Sequence, residues 1–196
     1  MAAFADALDL KTRVGDFVGN RSISDVWPYL VQQAETQLNQ VLRTVWQVTD
    51  TTLTFTDGEA DLPADFLEMA AVYGPCGYPM RSGLPGDSKR PGTSYSTYSI
   101  TASKVKIRGF SGDRDISYYA RLPTISESLS DTNWLLTQSP DSYLYAVGMQ
   151  AARYLKDVDL IQAAEPLLTE AIKLLKGEDE RMRWANGQVR VAAQCP

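Results

Sequence analysis

The 196-residue chain contains no histidine. That absence removes the Ser-His and Cys-His pairings of nucleophilic catalysis, the usual zinc ligands and the commonest general base near neutral pH. Only two cysteines are present, Cys76 and Cys195. They are too few and too far apart to mark a disulfide framework or a zinc site by spacing, so both are expected to be reduced. Cys76 has the Gly and Pro neighbours of an exposed thiol, but with no histidine to activate it the better reading is structural. No apolar run is long enough to span a membrane. The opening MAAFADALDL lacks the positive segment and long apolar stretch of a secretion signal, which predicts a cytoplasmic origin. No GxGxxG follows a strand and no GxxxxGK[ST] occurs; GLPGDSK at 83–89 has the wrong spacing. No catalytic, cofactor or metal site is therefore expected.

What is present is the composition of a soluble globular protein, 44% hydrophobic and 22% charged, in a chain long enough to withdraw roughly 70% of its unfolded surface from water. Nineteen Lys and Arg against twenty-four Asp and Glu leave a net charge of −5, which argues against a surface that grips nucleic acid through many phosphates. Two carboxylate groups, Asp113 with Asp115 and Glu178 with Asp179 and Glu180, have the residue types of glycoside hydrolysis. A turn and a solvated helix start are the simpler readings. Tyr95, Tyr98, Tyr118 and Tyr119 have the stacking groups of a single-strand reader, yet alternating strand aromatics are usually core.

Periodicity predicts helices at both ends of the chain with strands between. Residues 6–19 form a short helix whose apolar members are Leu8, Leu10, Val14, Phe17 and Val18. A second helix begins between Ser24 and Trp27, with Pro28 tolerated in its first turn. Its core stripe is Leu30, Val31, Ala34, Leu38, Val41, Leu42 and Val45, with Trp46 at the edge. Thr51 to Thr56 alternates as a strand and stops at Asp57 and Gly58. LPADFLEMAAVYG reads as a turn followed by a strand, and Gly74 to Thr97 as a long loop rich in Gly, Pro and Ser. Tyr98–Ile100, Lys104–Arg108 and Ile116–Arg121 suggest a β meander, with Lys104, Lys106 and Arg108 on a solvated side and Val105 and Ile107 on the other.

Ser139 and Pro140 open a helix to about residue 156 rich in small residues, Ala146, Gly148, Ala151 and Ala152, that let another helix come close. The stretch 158–177 places Leu160, Ile161, Ala164, Leu167, Leu168, Ala171, Ile172, Leu174 and Leu175 on one broad side, and Pro166 should kink it or divide it in two. Charged EDERMRW extends or restarts the helix, and VRVAAQCP reads as an extended tail. The helix YLVQQAETQLNQVLRTVW poses a separate question. Gln32, Gln33, Thr36, Gln37, Asn39 and Gln40 fill its polar side, with only Glu35 and Arg43 charged, whereas a solvated side usually collects Lys and Glu. That side meets either solvent or another protein.

Three stretches together resemble the adaptor, or head-tail connector, proteins found beneath the portal in the necks of tailed bacteriophages. They are YLVQQAETQLNQVLR, against a family pattern aE..lnr.LR; LPADFLEMAAVYG, against LP.DFLE...v; and YYARLPTISESLSDTNWLLTQSPDSYLYAVGMQAARYL, against YY...P.ls....n.ll...Pd..lya.l.eAa.y. They fall in the family's order over roughly residues 24–177. Asn39-Gln40 departs from the family's frequent Asn-Arg.

The resemblance implies an α+β fold: an antiparallel helical bundle with a small antiparallel β lobe and an extended C-terminal tail. The lobe would occupy about 51–121 with a long loop at 81–97, in a single adaptor domain of residues 1–186 followed by a tail at 187–196. It implies a virion protein of the neck, forming a homo-oligomeric ring of about twelve copies that binds the portal protein and tail or stopper proteins. DNA would pass through the ring without specific binding, and no membrane would be involved. Gln33, Gln37 and Gln40 would then be at the subunit contact, where amides are buried at lower desolvation cost than charges. Arg81, Lys89, Arg90, Val189, Arg190 and Val191 would meet portal or tail. The competing expectations are a virion-associated hydrolase using Asp113 or Asp115, and an assembly factor absent from the finished particle.

Overall fold

A computed structural model describes residues 4–84, 97–126 and 128–185. These residues combine helices and sheets, as an α+β chain does. They form two compact units, one from the described residues of Met1–Trp46 and Leu122–Gly187, the other from Gln47–Arg121.

The first unit is helical: α1 (Ala7–Phe17), α2 (Trp27–Val41), α3 (Trp134–Gln138), α4 (Pro140–Tyr154) and α5 (Val158–Trp184). The side chains of Asp6, Asn133 and Asp157 cap α1, α3 and α5 by accepting first-turn amides that lack an intrahelical acceptor. The start of α2 falls where the sequence placed it but is built differently from those three. No side chain caps it; a 3₁₀ turn at Ser24–Val26 leads into it, and Pro28 fills a first-turn position whose N–H would have been an orphan.

At the centre of this unit is α4, which contacts α1, α2, α3 and α5 and buries nine of its fifteen residues. Its small residues make that possible, since a Cβ on Gly148 would stand 2.9 Å from the Phe17 ring of α1. The α2 stripe is buried at Leu30, Val31, Ala34, Leu38 and Leu42, but Val41 and Val45 are exposed. The helix ends at Val41 and Leu42 turns to an extended conformation, so helical periodicity stops applying there. In α1 the buried face is Ala7, Leu10 and Val14, with Leu8 exposed. Pro166 does not divide α5, which runs through it as one helix to Trp184 and takes in the charged EDERMRW segment. One i→i−4 bond is forfeited at the proline, while buried Ala164 and Leu168 on either side hold the turns in place. The broad α5 side narrows to Ala164, Leu168, Ala171 and Leu175; Leu167 and Leu174 are exposed.

The second unit contains β1 (Val48–Phe55), β2 (Glu59–Asp61), β3 (Phe66–Val72), β4 (Arg81–Ser82), β5 (Thr97–Thr101), β6 (Lys104–Ile107) and β7 (Gly112–Ala120). Asp57 and Gly58, at φ 51° and 83°, make the two-residue turn between β1 and β2, with both residues left-handed as a type I′ turn requires. In LPADF, the Phe66 N–H donates to the Pro63 carbonyl at 3.0 Å to close the expected turn before β3.

The strands form two sheets, ordered β1-β7-β3 and β2-β6-β5-β4. The expected meander is therefore split. β5 and β6 pair antiparallel, Tyr98 opposite Ile107, but β7 lies between β1 and β3, with Thr51 opposite Ile116. Gly109 and Gly112, at φ 61° and 127°, redirect the chain between β6 and β7. The β4–β5 pair is parallel, so the expected antiparallel lobe contains one parallel ladder. Phe55, Val72, Tyr98, Val105, Ile107, Ile116 and Tyr118 from both sheets form one core. Residues 85–96 of the predicted loop and the tail at 187–196 lie outside the described residues. Cys76 is disulfide-bonded, which corrects the expectation that it is reduced; Cys195 is outside the described residues. Spacing along a chain carries no information on whether two Cα atoms come within the roughly 4.4–6.8 Å that a bridge needs.

Candidate functional site

Amide side chains of α2 converge on the end of α4 to make an open groove of about 740 Å³. It brings together the predicted Gln33, Gln37 and Gln40, and adds Tyr29, Gln32 and Thr36 from α2 and Gln150, Arg153 and Tyr154 from α4. Several of these side chains are tied to one another. Gln150 Nε2 donates to Gln37 Oε1 at 2.9 Å, Arg153 Nη1 donates to Gln150 Oε1 at 3.4 Å, and Gln33 Nε2 donates to the Tyr29 hydroxyl. Among the described residues of the lining, Arg153 is the one that carries charge, and no carboxylate is present. Such a surface gives up water at lower cost than a charged one.

Glu35, read from sequence as one of two exposed charges on this helix, is 5% exposed. Its Oε1 accepts from the Tyr143 hydroxyl of α4 at 2.6 Å and from the Ile125 N–H at 2.9 Å. One turn on, Asn39 Oδ1 accepts from the Leu122 N–H at 2.9 Å. These two members of the aE..ln pattern thus hold the 122–125 backbone. Burial lifts the Glu35 carboxyl above the ordinary carboxylate value, with the Tyr143, Ile125 and Thr124 hydrogen bonds pulling the other way. Burial, and then the Glu35 charge, push the Tyr143 hydroxyl up, so it stays a donor. A spacing signal existed: at about 100° per residue, Glu35 falls within roughly 40° of Val31 and 60° of Leu38.

Asp179 is a second buried carboxylate, in place of the solvated one expected from sequence. It lies inside α5, not at a helix start, and accepts from the Val45 N–H and from Arg183 Nε, the latter at 2.8 Å. Arg183 Nη2 also donates to the Arg43 carbonyl at 3.0 Å. The cluster ties the end of the α2 segment to α5.

In the sheet unit, Asp113 and Asp115 project from β7 onto one exposed face, each directly opposite a threonine of β1. Thr54 Oγ1 donates to Asp113 and Thr52 Oγ1 to Asp115, both at 2.7 Å. They act as cross-strand partners. Lys104 and Lys106 both clamp Glu59, at 3.1 and 2.6 Å; the Lys106 hydrogen bond, followed by that of Lys104, draws the Glu59 carboxyl below the ordinary value. Tyr98 and Tyr118 are core. The Tyr118 hydroxyl donates to Asp65 at 3.0 Å, and desolvation with that carboxylate pushes it up to about 12.

Arg81 is exposed on β4. Tyr95, Lys89, Arg90, Val189, Arg190 and Val191 lie outside the described residues. Among the described residues no cluster of metal-binding side chains occurs, and no helix is long and apolar enough to cross a membrane.

Compared with known proteins, the chain matches a family model described as SU10 adaptor protein over residues 5–192. The match reaches beyond the three recognised stretches at both ends. No curated protein matches it.

Proposed function

The chain belongs to the SU10 adaptor protein family of phage head-tail adaptors, and from that premise we propose that it is a structural component of the virion neck. Made in the host cytoplasm, it assembles as a ring of about twelve copies beneath the portal, extends the DNA channel and joins the capsid to the tail. The helical unit is the antiparallel bundle of the adaptor and the sheet unit its β lobe. The observation that carries the ring is the α2–α4 groove, whose tied amides and single cation make a surface that can be covered without burying a carboxylate. Gln33, Gln37 and Gln40 meet the neighbouring copy there.

Arg81, Lys89 and Arg90 on the 81–97 segment, and Val189, Arg190 and Val191 in the tail, contact portal or tail proteins, the tail by adding a strand. A net charge of −5 suits a channel wall that lets DNA pass without holding it. The pairing of Asp113 and Asp115 with threonines supports a structural and not a catalytic part for them.

Sedimentation with purified portal rings tests the reading. The full chain should pellet with the rings, and a chain ending at residue 186 should remain folded yet stay in the supernatant. A full chain that never binds portal would overturn the neck assignment. Its absence from purified particles by mass spectrometry would make it an assembly factor instead.

A further inference from the structure

Among its described residues the helical unit has a second exposed surface. The buried face of α5 is Ala164, Leu168, Ala171 and Leu175, yet Leu167, Leu174 and Met182 are 37%, 63% and 58% exposed. At about 100° per residue these three fall within roughly 80° of the helix circumference, beside the buried face. They form an apolar ridge. Glu170 and Glu178 interleave with it, and Arg181 follows at its far end.

The α2–α4 groove has the complementary properties. It is concave, it contains two exposed aromatics, Tyr29 and Tyr154, and Arg153 is the charged member of its described lining. Its α2 side, Tyr29 to Gln40, is about 17 Å long at 1.5 Å per residue, against about 10 Å from Leu167 to Leu174. The Leu167–Leu174 part of the ridge therefore fits within the groove's length, while Met182, about 12 Å further along α5, reaches past it.

We propose that the α5 ridge of one copy seats in the α2–α4 groove of the next, with Leu174 against Tyr29 and Tyr154 and Glu170 paired with Arg153. The occupant is a second copy because both halves of the contact are on one chain and match in shape and charge. Two different surfaces meeting head to tail propagate from copy to copy and make a ring when the rotation closes, where a self-complementary patch would stop at a pair. Aromatic and Arg side chains are the usual anchors of such contacts. This inference rests on the ring proposed above and says which surfaces build it.

The test uses two full-length variants, Arg153→Glu and Glu170→Arg, both at exposed positions, with assembly followed by sedimentation and particle images, alone and on portal rings. Each variant alone juxtaposes like charges and should need at least about tenfold more protein to assemble than wild type. An equimolar mixture of the two should regain wild-type assembly, because copies that alternate around a ring have opposite charges at every contact. At one contact the unchanged Arg153 of one variant meets the unchanged Glu170 of the other, and at the next the two substituted side chains meet with their signs exchanged. Rings from wild type and from both single variants alike would overturn the ridge-in-groove contact while leaving the ring itself standing. Rings lost in the variants but not regained by mixing would also overturn the pairing. A wild-type chain that forms no ring, alone or on portal, would overturn the ring and this contact together.

Discussion

Glu35 in the helical unit and Glu59 in the sheet unit are the same side chain put to opposite uses. Glu35 is inside, bonded to a tyrosine hydroxyl and a backbone amide, and burial lifts its carboxyl above the ordinary 4.5. Glu59 is outside, clamped by two lysines that lower its carboxyl from 4.5. The same contrast runs through both units. Asp179 of α5 is buried, while Asp113 and Asp115 decorate an open sheet face. Position relative to water, not residue type, decides what each carboxylate contributes. A buried one leaves partners stranded when it is removed, whereas an exposed pair is screened by solvent and salt.

The largest way to break the comparison is to destroy one of its sides. Leu168→Asp should prevent the helical unit from folding, since about 1.5–3 kcal/mol of apolar burial is lost and an unpaired charge is introduced into the core. Circular dichroism should show no cooperative melt; a soluble, cooperatively melting variant would mean that the core lies elsewhere. Glu35→Ala should cost about 2–6 kcal/mol, because the Tyr143 hydroxyl and the Ile125 amide each lose a buried acceptor at about 1–3 kcal/mol. Urea unfolding measures this, and a cost under about 1 kcal/mol would show that these groups find water.

On the sheet side the most sensitive point is the turn. Gly58→Ala should cost about 1–3 kcal/mol, because a Cβ there would stand 2.5 Å from the Ile107 carbonyl oxygen at φ +83°. A variant as stable as wild type in the same urea titration would show that the turn relaxes freely.

The smallest effect is expected from Glu59→Gln, and salt should erase it. Its value lies in the sign of its pH dependence. Glu59 has a lowered carboxyl, so its contribution is present above pH 4.5 and fades as pH falls through the folded value. Glu35 has a raised carboxyl, so folding favours its protonated form; that contribution is complete below pH 4.5 and is lost as pH rises through the folded value. The stability of wild type relative to Glu59→Gln should thus increase with pH, and that relative to Glu35→Gln should decrease. Parallel slopes in the two titrations would remove the distinction between the units.

Much of the fold was legible in residue order. The α2 stripe, the Asp57-Gly58 stop and the turn before β3 follow from local periods and turn chemistry, which act over a few residues. Errors came where a local pattern met a distant partner. Glu35 sits close to the core stripe by angle, but the donors that offset the loss of water there, the Ile125 amide and the Tyr143 hydroxyl, are 90 and 108 positions away. The meander failed because pairing depends on which sheet a strand joins, and β7 left its sequence neighbour for β1 and β3. Of the candidate site, the unusual amide content of α2 was visible, as Gln33, Gln37 and Gln40. Gln150 and Arg153 were not, because no local signal in α4 separates a groove wall from an ordinary surface position.

By itself the sequence determined the types of element, the apolar faces of α1 and α2, and the family, because side-chain period and motif order are properties of neighbours along a chain. The tertiary structure alone decided which carboxylates are dry, how the seven described strands divide between two sheets, and that Leu167 and Leu174 are exposed. Burial and strand pairing are relations between segments far apart in the chain, and their energies exist only once those segments have met.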